Sequence, residues 1–98
     1  MTIEKKINGE NVTLKIAGRL DTQTAPQLEA ELNGVLPSCK DLTLDMADLE
    51  YVSSAGLRVI LKAQKEMNTK GAMRLTDVND NIMEVFDITG FIDILTIE

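Results

Sequence analysis

Two adjacent serines, Ser53 and Ser54, are the residues of this chain best placed to do chemistry. They lie in Tyr51-Val52-Ser53-Ser54-Ala55-Gly56-Leu57, after an apolar run that reads as a strand and before a segment with helical periodicity. The spacing sets both hydroxyls where a helix begins. A helix start leaves backbone N–H groups unpaired and carries partial positive charge, so it suits an anion such as a phosphate. It equally suits plain capping, in which a serine oxygen accepts from those N–H groups. Residue type alone leaves both readings open. Gly56 permits close packing or access at the same junction.

Two acids and a basic stripe are the other candidates. Asp21 and Asp45 are expected near the strand ends beside Ser54, where they could position its hydroxyl. Their plainer roles are to turn the chain or cap a helix at Asp21, and to end a strand at Asp45. Arg58, Lys62 and Lys65 follow Ser54 at spacings of four and three, on one helical face. Long helical side chains lean toward the N-terminus, so Arg58 can reach back toward Ser54. The stripe fits an acidic partner surface or a solvated face. Cys39 reads as an inert turn or strand-edge thiol. The five methionines read as core fillers, and Phe86 and Phe91 as cover for the sheet or the last helix.

Composition narrows the classes. Ninety-eight residues, 44% of them hydrophobic, suffice for one folded domain spanning 1–98 with an aliphatic core, since aromatics are only 3%. The net charge of −6 disfavours nucleic acid and anionic membrane surfaces, which call for clustered Lys and Arg. Histidine is absent, which removes the commonest general base and most zinc sites. A regulatory binding protein is therefore expected rather than an enzyme, with no metal and no cofactor. A lone cysteine, no apolar leader and no membrane-length run point to the cytoplasm.

Strand-like and helix-like segments alternate along the chain. Ile3–Ile7 and Val12–Ala17 read as a hairpin across Asn8-Gly9-Glu10-Asn11, where Asn-Gly tolerates positive φ. Gly18-Arg19-Leu20-Asp21 reads as a loop. Thr24 and Gln27 fit a capping box, with Pro26 in the first turn, for a helix using Ala25, Leu28, Leu32, Val35 and Leu36 and ended by Pro37. Leu42–Met46 reads as a central strand and Asp48–Tyr51 as a loop. A second helix is expected from about Ser54 to Asn68, with Leu57, Ile60, Leu61 and Met67 on one face and Gly71 as its cap. Ala72–Thr76 reads as a strand. Asn79 would cap a third helix, with Ile82, Val85 and Phe86 inward and Gly90 at its end. Ile94–Ile97 reads as a short edge strand. The class is α/β: a small mixed sheet with an N-terminal hairpin, then parallel strands joined by helices. In such folds sites gather beyond the carboxyl ends of the parallel strands.

The string Tyr51–Leu57, following a strand that ends Leu44-Asp45-Met46, resembles the signature of the STAS domain. The resemblance extends over essentially the whole chain, including Gly18–Asp21 and Val85-Phe86-Asp87-Ile88-Thr89-Gly90, and the stand-alone bacterial anti-sigma factor antagonists are closest in length. It implies a cycle. A serine kinase with a histidine-kinase-like ATPase fold, itself the anti-sigma factor, phosphorylates one serine at this helix start. The unphosphorylated antagonist binds that kinase and frees the sigma factor, and a PP2C-type phosphatase resets the switch. By position Ser54 would be the phosphoacceptor, with Ser53 the alternative. Asp21, Ser53, Ser54, Ala55, Gly56, Leu57, Arg58 and Lys62 would form the partner-binding surface. The sequence departs from the best-known members at Ser53, where they carry Asp; at Ala55, where they carry Ser or Thr; and at Arg58, where they carry a small residue. The other readings are a constitutive STAS adaptor in a signalling or transport complex, and a small-ligand or nucleotide-sensing module. The last lacks a phosphate-cradling glycine loop. A response-regulator receiver is set aside, because neither its paired acids after the first strand nor its late lysine is present.

Overall fold

The hydrophobic pattern changes period along the chain, and the backbone follows it. The computed structural model describes residues 1–98. Strand β1 (Thr2–Asn8) turns through Gly9, at φ 64°, into β2 (Asn11–Leu20). Helix α1 (Ala25–Val35) and a 3-10 turn (Leu36–Ser38) lead to β3 (Asp41–Val52). Helix α2 (Ser54–Met67), β4 (Ala72–Thr76), α3 (Asp80–Thr89) and a 3-10 turn (Phe91–Asp93) complete the order. The sheet runs β1-β2-β3-β4, antiparallel at the first pair and parallel at the next two. This is the expected mixed sheet.

Successive crossovers advance across the sheet in one direction. Right-handedness then sends all three helices to the same face. Alternation along the strands agrees: Val12, Leu14 and Ile16, Leu42, Leu44 and Met46, and Met73 and Leu75 are buried. Leu28 and Leu32 of α1, Ile60 and Met67 of α2, and Ile82 and Phe86 of α3 cover them. The other face stays polar, with half-buried Thr13, Lys15, Thr43, Asp45 and Arg74 between the same apolar positions. Arg74 there makes a two-pronged ion pair with Asp41.

Several boundaries differ from the sequence reading, each for a tertiary reason. Gly18, Arg19 and Leu20 extend β2, and Asp48–Tyr51 extend β3. The two stretches read as loops because each is short and polar, yet they pair with one another: Ala17 with Asp48, Gly18 with Leu49, Arg19 with Tyr51. Register shifts at Lys15/Ala17 and Gly18/Arg19 break the two-residue period that would have revealed them. The Thr24–Gln27 capping box does not form. Thr24 precedes α1 in a helical conformation, and its hydroxyl donates to the Arg19 carbonyl at 2.8 Å instead. Pro37 lies inside the 3-10 turn that continues α1, rather than ending it. Gly71 is not the cap of α2, which closes at Asn68. Leu61 is only half-buried, and Val59, Ala63 and Gln64 share the inner face of α2 instead. Val85 is likewise half-buried. Ile94–Ile97 contributes one parallel bridge, Ile97 to Leu75, and no strand. Three methionines, Met46, Met67 and Met73, are fully in the core, and Cys39 is buried with its thiol pKa pushed up by burial.

Asn79 does two tasks at the α3 start. Its Oδ1 accepts from Ile82 N–H at 2.9 Å, and its Nδ2 donates to the Leu49 carbonyl at 2.8 Å. The side chain thus ties the helix to the β3 extension. Asn79→Ala removes both bonds and should cost about 2 kcal/mol in urea unfolding. Asn79→Asp keeps the acceptor alone and should fall between.

Candidate functional site

The β2 and β3 extensions project as a pair beyond β4, which stops opposite Asp45. Their tips position the serines. Ser53 N–H donates to the Leu20 carbonyl at 2.8 Å, which pins the end of β3 to the end of β2. The chain then turns directly into α2. Ser53 is the N-cap: its extended backbone (φ −95°, ψ 173°) lets its Oγ accept from Gly56 N–H at 3.3 Å. Ser54 is the first helical residue, exposed, and its hydroxyl makes no hydrogen bond within the protein. The pair that residue type left open is thereby divided: one serine is occupied in capping, the other is free.

Gly56 sits against Leu20. A Cβ there would lie 2.6 Å from Leu20 Cγ and 3.1 Å from its carbonyl oxygen, so the first turn of α2 packs flush on the β2 tip. This contact also brings in Asp21, the next residue. Its carboxylate accepts from Thr24 N–H at 3.1 Å and Gln23 N–H at 3.0 Å, with the Thr24 hydroxyl oxygen 3.2 Å away, turning the chain into α1. The Thr24 N–H holds its pKa below the usual carboxylate range, aided by the Gln23 N–H, the Thr24 hydroxyl and the Arg19 guanidinium 4.0 Å away. A carboxyl acidified by folding binds fewer protons folded than unfolded. Its stabilisation is therefore full above the ordinary carboxylate pKa and is lost as pH falls through the lowered one. Asp41, held low by its hydrogen-bonded pairing with Arg74, acts in the same sense. Urea midpoints should stay level above the carboxylate range and fall below it, with Asp21→Asn showing a shallower acid limb.

Asp45 does not join this site. It lies seven residues before the end of β3, roughly 20 Å along the strand. It is on the polar face, opposite Lys15 in register, and accepts from Ala47 N–H at 3.0 Å. The misplacement follows from ending the strand at Met46. Of the basic stripe, Lys62 pairs with Glu29 of α1 at 3.6 Å, while Arg58 and Lys65 are exposed and without a carboxylate partner. Arg58, Lys62, Ala55 and Val59 face Thr22, Ala25 and Pro26 across a shallow groove between the starts of α2 and α1. One pair escaped the sequence reading. The Arg19 guanidinium lies 4.2 Å above the ring of Tyr51, which is 41% exposed, at the tip of the paired extensions. Only the β2–β3 register joins these two residues, so nothing local signalled them. No three His, Cys, Asp or Glu side chains group as a metal site, and no helix is long and apolar enough to cross a membrane.

The model of the STAS domain family matches residues 2–98. The chain belongs to the STAS domain family. It is 30% identical over 98 residues to the anti-sigma-B factor antagonist of Bacillus subtilis, covering 99% of this chain and 90% of that protein. It is 27% identical over 100 residues to the anti-sigma F factor antagonist of Paenibacillus polymyxa, covering 99% and 86%. Among solved structures, the phosphorylated form of the Bacillus protein SpoIIAA superposes with a TM-score of 0.78 at 17% identity, over 99% of this chain and 91% of that one. An anti-sigma factor antagonist from Mycobacterium paratuberculosis reaches 0.88 at 18%, over 98% and 83%. These likenesses confirm the STAS fold. The antagonists of this family are non-catalytic regulatory proteins.

Proposed function

We propose that this STAS domain is an anti-sigma factor antagonist of the bacterial cytoplasm, acting as one unit over 1–98 and switched by phosphorylation of Ser54. Its unmodified form binds an anti-sigma factor serine kinase and so releases a sigma factor. Phosphorylation by that kinase ends the contact, and a PP2C-type phosphatase restores it. The observation that carries the reading is the division of labour between the serines. Ser53 is spent on the cap, whereas the Ser54 hydroxyl is exposed and unbonded. The docking surface would comprise Asp21, the Ser53–Leu57 turn, Arg58 and Lys62, around the groove between α1 and α2.

A phosphate at Ser54 adds about −1.5 to −2 charge to the first turn of α2, where the helix dipole favours it. Arg58, one turn on, is free to face it. The modified domain therefore keeps its fold, and the switch is local charge at an interface. Incubation with the anti-sigma kinase and ATP, read by intact mass, tests the assignment. One phosphoryl group should appear on wild type and on Ser53→Ala, and none on Ser54→Ala. Label on Ser54→Ala would move the acceptor to Ser53. Partner binding with no label on any form would favour the constitutive adaptor.

A further inference from the structure

Strand β1 is the open edge of the sheet. At the other edge, the Leu75 N–H and carbonyl of β4 bond Thr96 and Glu98 near the chain end. β1 pairs with β2 alone, and every residue of it but Ile3 is exposed. Asn8 and Asn11 face each other across a two-residue turn in which Gly9 comes first, at φ 64°. Such a hairpin closes on a hydrogen-bonded pair. Bonded and unbonded pairs alternate from there. Asn8, Lys6, Glu4 and Thr2 therefore bond β2, while the N–H and C=O groups of Ile7, Lys5 and Ile3 point outward, unpaired.

An open edge of this kind is a template for another strand. The residues along it say which one. Read about Lys5, Thr2–Asn8 is complementary to its own reverse: Ile3 answers Ile7, and Glu4 answers Lys6. An antiparallel copy centred on Lys5 sets each Ile3 beside an Ile7 and each Glu4 beside a Lys6. The same centre brings the outward groups of Ile3, Lys5 and Ile7 opposite those of Ile7, Lys5 and Ile3, each facing pair exchanging both its bonds. Sliding the centre to Glu4 or Lys6 loses both matches. Lysine on an edge strand usually deters such pairing. Here Lys6 meets a glutamate, and Lys5, which alone meets its own kind, already pairs with Glu31 of α1 at 3.6 Å. The match also accounts for Ile7, which is left 57% exposed although its neighbour in β2 is the buried Val12.

We propose that β1 is a dimerisation edge, joining two copies of this chain by antiparallel β1–β1 pairing about a two-fold axis at Lys5, so that two sheets become one. The pairing is independent of the switch, because Ser54 follows β3, two strands in from the seam. Two-fold symmetry reverses the strand direction, so the dimer carries its two Ser54 rims at opposite ends, both uncovered.

Sedimentation equilibrium of the full chain, taken to millimolar concentration, tests this together with amide exchange read by NMR. Wild type should show a monomer–dimer equilibrium, and the Ile3, Lys5 and Ile7 amides should exchange more slowly as concentration rises. Lys5→Pro removes an outward N–H that holds nothing in the monomer. It should abolish the dimer and leave the urea midpoint near wild type. Glu4→Lys and Lys6→Glu should each weaken dimerisation roughly tenfold, by turning both symmetry-related charge pairs repulsive. The Glu4→Lys/Lys6→Glu double variant should recover it, and an equimolar mixture of the two single variants should form mixed dimers. A wild type that stays monomeric throughout, or a dimer indifferent to the three single substitutions, overturns the proposal.

Discussion

A phosphoserine at position 54 is expected to weaken binding to the anti-sigma kinase by at least ~100-fold, about 2.7 kcal/mol. The magnitude follows from where the charge lies. Ser54 is exposed and in the first turn of α2, beside the Gly56–Leu20 contact and the groove toward α1. A partner covering that turn must strip water from a doubly charged group or meet it with acids of its own. Ser54→Glu should act in the same direction with a smaller loss, having one charge and two acceptor oxygens. Ser54→Ala should bind as wild type, because the hydroxyl holds nothing inside the protein. Calorimetric titration of the three forms measures this. Near-UV and amide spectra should be superimposable across them, which separates a surface switch from refolding. Equal affinity for all forms would remove the switch.

Replacing Gly71 by alanine is expected to destabilise the domain more than any other glycine change. A Cβ at Gly71 would lie 2.0 Å from the Lys40 carbonyl oxygen and 2.8 Å from its carbon. Both atoms are backbone, and that carbonyl accepts from Ala72 N–H to start the β3–β4 pairing. The clash cannot be relieved by rotating a side chain, so β4 must shift or detach. A loss of roughly 4 kcal/mol or more is expected, at the upper end for a single substitution. Gly34→Ala supplies the contrast. Nothing lies within 4 Å of its Cβ, and alanine is the better helix former, so stability should rise by about 0.5–1 kcal/mol. Urea unfolding of both variants checks the pair.

The sequence was legible where local chemistry decided the outcome. Asn79 caps α3, Gly90 takes the left-handed conformation after it, and Asn8-Gly9 turns the hairpin. The start of α2 was also clear, because Ser53 and Ser54 precede an unbroken helical period. Pairing between distant segments was not legible. Arg19 meets Tyr51 across 31 intervening residues, and neither carries a local sign of being in a strand. The same hidden pairing moved Asp45 from the site to the middle of the sheet. Gly71 looked like a cap because glycine after a helix usually is one. Its actual role, allowing two backbones to touch, depends on Lys40, which lies far off in sequence.

That every crossover advances the same way has an electrical consequence. Helices α1, α2 and α3 all start at the rim where β2, β3 and β4 finish, so their peptide dipoles point in concert rather than cancelling. The backbone alone gives the molecule a positive pole at the rim holding Ser54 and a negative pole at the other. Three sets of unpaired N–H groups thereby share that rim, and a negatively charged group brought against the first turns is favoured there.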